Sequence, residues 1–152
     1  MSPKTVLGVA AATLIFDKQG RVLVLRRSID DRHRPGEWDI PGGAIDIGEP
    51  VLDGAIREAR EEVGVMIPPN SMQLCYAHSS VIYHTELKER VSITWLVYAA
   101  RLPSEQSVQL SEEHDEYHWW TLDEFLEKSS HQPQLELVRY VQDNGIMTDL
   151  WS

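Results

Sequence analysis

Residues 50–63 read as a helix with both ends marked and two unlike faces. Pro50 suits the first helical turn, where a backbone N–H has no partner, and Gly64 suits the position just past the last. Leu52, Ile56, Ala59 and Val63 recur at helical spacing and are expected to face a core. Glu58, Glu61 and Glu62 stand at i, i+3 and i+4, so they share the other side. A helix divided in this way must lay its apolar stripe on another layer, and the runs that flank it supply one.

Upstream, Val6 to Phe16 and Arg21 to Leu25 are β-like, and Asp17-Lys18-Gln19-Gly20 between them has the chemistry of a hairpin turn. Trp38-Asp39-Ile40 is a short strand stopped by Pro41-Gly42-Gly43. Downstream, Pro68-Pro69-Asn70 breaks the chain. Met72 to Tyr83 and Val91 to Ala100 then read as strands joined through the charged Glu86 to Arg90. Pro103 to Asp115 reads as a loop and Tyr117 to Trp120 as a short strand. Thr121-Leu122-Asp123-Glu124 is a capping box that opens a helix, and a last helix is expected from Pro133 to Asp143, ending at Gly145. Strands before, between and after helices predict an α/β (α+β) class fold, a mixed β-sheet sandwiched between α-helices. A length of 152 residues predicts a single domain over 1–152.

Composition narrows the partners. With 14 Lys+Arg against 24 Asp+Glu, the net charge is −10. That disfavours a nucleic acid polymer, whose binding is driven by release of counterions from phosphates. It leaves small phosphorylated ligands open, because clustered carboxylates hold divalent metals and metals hold phosphates. The longest apolar run, Val9 to Phe16, is far below the ~20 residues that span a bilayer. Met1-Ser2-Pro3-Lys4 lacks the pattern of an export signal. A single cysteine, Cys75, allows no internal disulfide and is expected to be a buried, inert thiol. The expectation is a cytoplasmic protein without membrane partners.

The three glutamates carry the chemistry. Like charges at this spacing repel by a few tenths of a kcal/mol per pair, roughly. A divalent cation relieves that repulsion; a solvated acidic face with Arg57 and Arg60 as partners is the bland alternative. The surroundings decide. Gly43, five residues, Glu49, seven residues, Arg57-Glu58-Ala59, one residue, Glu61-Glu62, one residue, Gly64-Val65 fills the signature of the Nudix hydrolase family, which the chain therefore resembles. Ala59 is a small occupant of an aliphatic slot; every fixed position matches.

The resemblance implies Mg²⁺- or Mn²⁺-dependent hydrolysis of a nucleoside diphosphate linked to another moiety, in a monomer or homodimer. Carried over residue by residue, it makes Glu58, Glu61 and Glu62 metal carboxylates, Glu49 a metal-shell or supporting carboxylate and the Gly42 carbonyl a further ligand. One of Glu61 or Glu62 would also take the proton of the attacking water, and Arg57 would hold a signature glutamate in place. A further base or ligand is expected in Ser111 to Glu116, with Glu113 preferred over Glu112 and Glu116, and His114 read as a loop residue. Arg27, rather than Arg26, is the expected phosphate contact. Trp38 is expected either to stack on a base or to pack at the rim of the core; Trp95, Trp119 and Trp120 are expected to pack.

Marks outside the signature bear on the substrate. The proline typical of ADP-ribose hydrolases is replaced by Ser80, and the NADH and coenzyme A marks are missing. Small size resembles the nucleoside triphosphate pyrophosphohydrolases, including those acting on modified (d)NTPs. Tyr83, near where dinucleoside polyphosphate hydrolases carry a tyrosine, keeps those substrates as the alternative. A Nudix-fold module that binds a nucleotide without turnover is the other.

Overall fold

The computed structural model describes residues 7–151. Among them run strands β1 (Leu7–Phe16), β2 (Val22–Arg27), β3 (Trp38–Asp39) and β4 (Gly42–Ala44), then helix α1 (Val51–Val63). A 3₁₀ turn (Pro69–Ser71) leads into β5 (Met72–His84), β6 (Glu89–Arg101) and β7 (His114–Trp120), followed by α2 (Leu122–Lys128), α3 (Gln132–Asp143) and α4 (Ile146–Trp151). The strands form one mixed sheet in the order β3-β2-β1-β6-β5, with β4 also on β1 and β7 also on β2. Its spine is the parallel β1–β6 pair, from Leu7↔Ser92 to Phe16↔Arg101. Val6, expected at the start of β1, lies outside the described residues.

Period-two alternation sorts side chains between the two faces. Leu14 and Phe16 of β1, Val22 and Val24 of β2, and Val97 and Ala99 of β6 meet Trp120, Phe125, Leu135, Leu137, Val138 and Val141 on one face. Ile15, Leu23, Leu25 and Ala100 point the other way, onto Ala59 and Val63 of α1. The result is the expected sheet between helices. Among the described residues no helix is long and apolar enough to cross a membrane.

Several local expectations change. The β1–β2 hairpin is real, but its pairing is confined to Phe16↔Val22; beyond the turn, β2 diverges to pair with β3 and β7. The Trp38 strand ends at Asp39, before Pro41, but Gly42 and Gly43 are more than its stop. They form β4, paired with Ala10 to Ala12 of β1. This approach requires glycine: a Cβ on Gly42 would sit 2.5 Å from the Ala11 carbonyl oxygen. Pro50 is the residue before α1, with extended backbone, and not its first helical residue; Gly64 closes the helix in the left-handed conformation as expected. The buried face of α1 is centred on Ala55, Ala59 and Val63, with Leu52 and Ile56 half-buried at its margin. Glu62 is buried on that same side, so carboxylate and core faces overlap. β7 begins at His114, earlier than the loop reading allowed, because β2 pairs with it from Val22↔Trp120 to Arg27↔His114. α4, too short to show a period, was not legible in the sequence; its Trp151 meets Phe16 edge-on at 6.0 Å and takes the Arg101 guanidinium over its ring.

The capping box at Thr121 forms with both reciprocal hydrogen bonds. It aims α2 so that Phe125 is fully enclosed between Trp120 and α3. Phe125→Ala is expected to lower unfolding stability by about 3–5 kcal/mol, read as a reduced urea midpoint at unchanged slope.

Candidate active site

The segment from β4 into α1 is organised by one guanidinium. Arg57 donates from Nε to Glu49 Oε2 at 2.7 Å and from Nη2 to Glu49 Oε1 at 2.9 Å. Its Nη1 donates to Glu58 Oε1 at 3.0 Å and to Glu61 Oε2 at 3.1 Å, and its Nη2 also reaches the Ala44 carbonyl at 3.1 Å. Such a planar fork fits paired carboxylates better than a lysine would. The Arg57 hydrogen bonds, joined by the Asp46 N–H, hold the Glu49 carboxyl down to about 2.

The remaining carboxylates meet under and beside β4. Glu58 is half-buried against Gly43, where a Cβ would stand 2.7 Å from its carboxylate. Glu62 is 6% exposed and accepts a hydrogen bond from the Gly42 N–H at 2.9 Å. Glu113 approaches from the loop before β7; a carboxyl hydrogen bond and its charge act on Glu62. Burial first, then Glu113 and Glu58, push the Glu62 carboxyl up to about 9 against the opposing Gly42 N–H. Glu58 is also raised, burial outweighing its bond to Arg57. Glu61, at 54% side-chain exposure, is the outermost of the three helix glutamates. Glu116 is taken up by Arg26 at 2.9 Å and His118 at 2.7 Å, and Glu112 is exposed.

Glu62, Glu113, Gly42 and Gly43 line one part of a cleft of about 410 Å³. Trp95 and Val97 of β6, His78 and Ser80 of β5, and His131, Pro133, Gln134 and Leu137 at the start of α3 line the rest. Three of these residues carry a buried polar atom without a hydrogen-bond partner: His78 Nδ1, His131 Nδ1 and Gln134 Oε1. Burial lowers both histidine pKa values and favours the neutral rings. The Gln134 amide is oriented, because its Nε2 donates to Asp39 Oδ1 at 2.5 Å. Asp39 is in turn held by Arg27 at 2.8 Å and Arg34 at 3.5 Å.

Of the residues singled out in the sequence, Arg27, Gly42, Glu62 and Glu113 line this cleft, while Glu49, Glu58 and Glu61 stand on Arg57 beside it. Arg27 lines the cleft, but its guanidinium is bound to Asp31 and Asp39, each at 2.8 Å, and to the His33 carbonyl. Trp38 is not a cleft residue. It packs edge-on against Trp120 at 4.7 Å and His118 at 5.4 Å, the rim alternative, because β7 offers it an aromatic row. The tryptophan in the cleft is Trp95, for which only packing was expected. His114 is a buried strand residue, not a loop one, and both ring nitrogens lack partners. Tyr83 lies 62% exposed at the far end of β5, outside the cleft lining. His78, His131 and Gln134 carry no sequence signal of their own; only the His78↔Trp95 register and the seating of α3 bring them together.

Among the described residues no three His, Cys, Asp or Glu side chains already stand where they could hold a metal ion. Arg57 accounts for part of this, since Glu58 and Glu61 share its Nη1. The donor chemistry nevertheless fits a hard cation: Glu58, Glu62 and Glu113 present carboxylate oxygens, and a cation would favour the ionised form of Glu62 that burial disfavours.

A NUDIX domain family model matches residues 6–141. An uncharacterized Nudix hydrolase of Pseudomonas aeruginosa is 38% identical over 60 residues, 39% of this chain. The match spans 36% of that protein, so the chain covers about a third of its length. The asymmetrical bis(5'-nucleosyl)-tetraphosphatase of Caenorhabditis elegans is 29% identical over 136 residues, 86% of this chain and 91% of that protein. Among solved structures, the MutT protein of Methanosarcina mazei superposes with a TM-score of 0.74 at 26% identity, over 94% of this chain and 99% of its own.

The raised pKa of Glu62 has a signed consequence for the metal-free protein. Its folded value of about 9 exceeds the ordinary 4.5. The folded state therefore binds more protons between these values, and stability falls as pH rises from 4.5 towards 9. Glu62→Gln keeps an acceptor for the Gly42 N–H and cannot ionise. It is expected to match the wild type in Tm near pH 4 and to exceed it increasingly at pH 6 to 9, by thermal melts in chelator.

Proposed function

The chain belongs to the NUDIX domain family, and on that premise we propose that it is a divalent-cation-dependent diphosphate hydrolase acting on a nucleoside triphosphate or modified (d)NTP to yield the monophosphate and pyrophosphate. The observation that carries this reading is a single cleft with two unlike ends. Glu62 of the signature stands at one with Glu113, Glu58 acting on it from beside the cleft, and Trp95 with His78, His131 and Gln134 stands at the other. A heterocycle suits this end better than a hydrocarbon, because it can lie against Trp95 and meet the polar side chains of His78, His131 and Gln134 that line the wall.

In this reading Glu58, Glu61 and Glu62, with Glu49 and the Gly42 carbonyl, would hold the Mg²⁺ or Mn²⁺ ion. The bound cation supplies charge neutralisation at the phosphate oxygens and a more acidic water. The chain's own residues do the rest. Arg57 orients Glu49, Glu58 and Glu61 through hydrogen bonds of 2.7 to 3.1 Å. Glu113, beside Glu62, is a proton acceptor for the attacking water, with Glu61 and Glu62 as the other candidates. Arg27 faces phosphate at the cleft wall by exchanging one aspartate for substrate. Gln134, held by Asp39, offers Oε1 to a base N–H. The domain works as one unit over residues 1–152, in the cytoplasm.

Dinucleoside polyphosphates are the second reading, favoured by the nearly full-length similarity to the nematode tetraphosphatase. A matched panel separates them. Pyrophosphate release from nucleoside triphosphates, abolished by chelator without unfolding, is expected to exceed cleavage of dinucleoside tetraphosphate in kcat/KM. Glu62→Gln and Glu113→Gln are expected to lose most of kcat with a smaller change in KM, because their carboxylates act chiefly in the transition state. Metal-dependent nucleotide binding without turnover would instead identify a binding module.

The base end gives an independent check. Gln134→Leu removes the oriented acceptor and is expected to raise KM about tenfold while leaving kcat within a few-fold. An unchanged KM would remove Gln134 from the site.

A further inference from the structure

The sheet has one long open edge, and it is built unlike the others. Among the described residues β5 ends the strand order and pairs with β6 alone. Its 13 residues, Met72–His84, contain no Asp, Glu, Lys, Arg or Pro, in a chain with 38 charged residues (14 + 24) and net charge −10. The edge at β7 is short and carries Asp115 and Glu116, both ion-paired to Arg26, at 2.7 and 2.9 Å. The edge at β3 is two residues long. Charge, proline and brevity are the usual devices that keep an edge from pairing, and β5 has none of them. A bulge between Leu74 and Tyr76 interrupts only its first part; Tyr76 to His84 pairs regularly with β6.

The outer half is also apolar on both faces. Val81 is 57% exposed, Ile82 41% and Tyr83 62%, on successive and therefore alternating positions. Leu87, in the turn that follows, is 50% exposed. Packing within the chain explains none of these exposures.

We propose that β5 is the pairing edge of a two-fold symmetric dimer, in which the β5 strands of two copies lie antiparallel and join their sheets. The occupant follows from charge. An acidic or basic partner segment would be selected by opposite charges along the edge, and this edge has none for 13 residues. It fits a strand that is itself uncharged and apolar at its outer half. Of the strands with an open side, β5 is the one that meets this description, so the edge is complementary to itself, as an isologous contact requires. Everywhere else the net charge of −10 opposes association, which confines the contact to this line. Screening that repulsion strengthens such a dimer, so it tightens with added salt.

The test is sedimentation equilibrium on the full chain from micromolar to near-millimolar concentration, at low and high salt. The expected result is a species of about twice 17.4 kDa whose association constant rises with salt. Val81→Lys combined with Tyr83→Lys puts like charges across the two-fold at exposed positions and is expected to weaken association more than about tenfold. Far-UV circular dichroism and Tm check that the variant is folded. Asp115→Asn on the β7 edge leaves the dimer intact. Amide exchange over residues 76–84 of the wild type slows as concentration rises. A wild-type chain that stays monomeric throughout overturns the proposal, including the case in which it binds an added uncharged extended peptide. So does a dimer that survives the double lysine substitution, or one that loosens with salt.

Discussion

Arg57 sits where three carboxylates would otherwise repel one another. Its fork closes on Glu49 with two hydrogen bonds and reaches Glu58 and Glu61 with two more, while the Ala44 carbonyl takes a fifth. The loop from β4 to α1 is thereby tied to the helix it precedes. Without that cation, the acidic side of α1 would be a line of like charges at one-turn spacing. With it, Glu58 can lie against Gly43 and Glu62 can be buried under Gly42.

Burial of Glu62 is the costly part of this arrangement. The same helix face that seals Ala59 and Val63 against the sheet also encloses this carboxylate, with Glu113 and Glu58 close by. A single hydrogen bond from the Gly42 N–H does not offset the loss of water. The site is therefore strained electrostatically in a direction that a divalent cation reverses. The fold tolerates this because the opposite sheet face, with Phe16, Phe125 and Leu137 fully or nearly fully enclosed, does not depend on it.

The cleft owes its two-ended character to the sheet's register. β4 and α1 bring Gly42, Gly43 and Glu62 to one part, joined by Glu113 from the loop before β7, and the long β5–β6 pair carries His78 and Trp95 side by side to the other, under the first turn of α3. The backbone of the same β5 strand provides the open edge, so one element serves the cleft with a face and faces solvent with its side.

The residues of the signature were legible because they lie within 23 consecutive positions, where helical and turn geometry alone decide who meets whom. Gly43 against Glu58 and Arg57 against Glu61 are local contacts of that kind, and so is the capping box at Thr121. The layers of the fold were legible for a similar reason, since alternation in β1 and β2 demands cover on both faces. Glu113 came within reach of the sequence only through the resemblance; its approach to Glu62 is made by the β2–β7 pairing, across some 90 residues of chain. Trp38 took its rim alternative and Trp95, expected only to pack, came to line the cleft, because a tryptophan's neighbours are set by strand pairing, which composition does not encode. The sequence by itself determined the carboxylate helix and its arginine, because those contacts span a few turns of one helix. Only the tertiary structure decided the far end of the cleft and the free edge, because His78, Trp95 and Gln134 meet through long-range register, and an edge exists only once every other strand has found its neighbours.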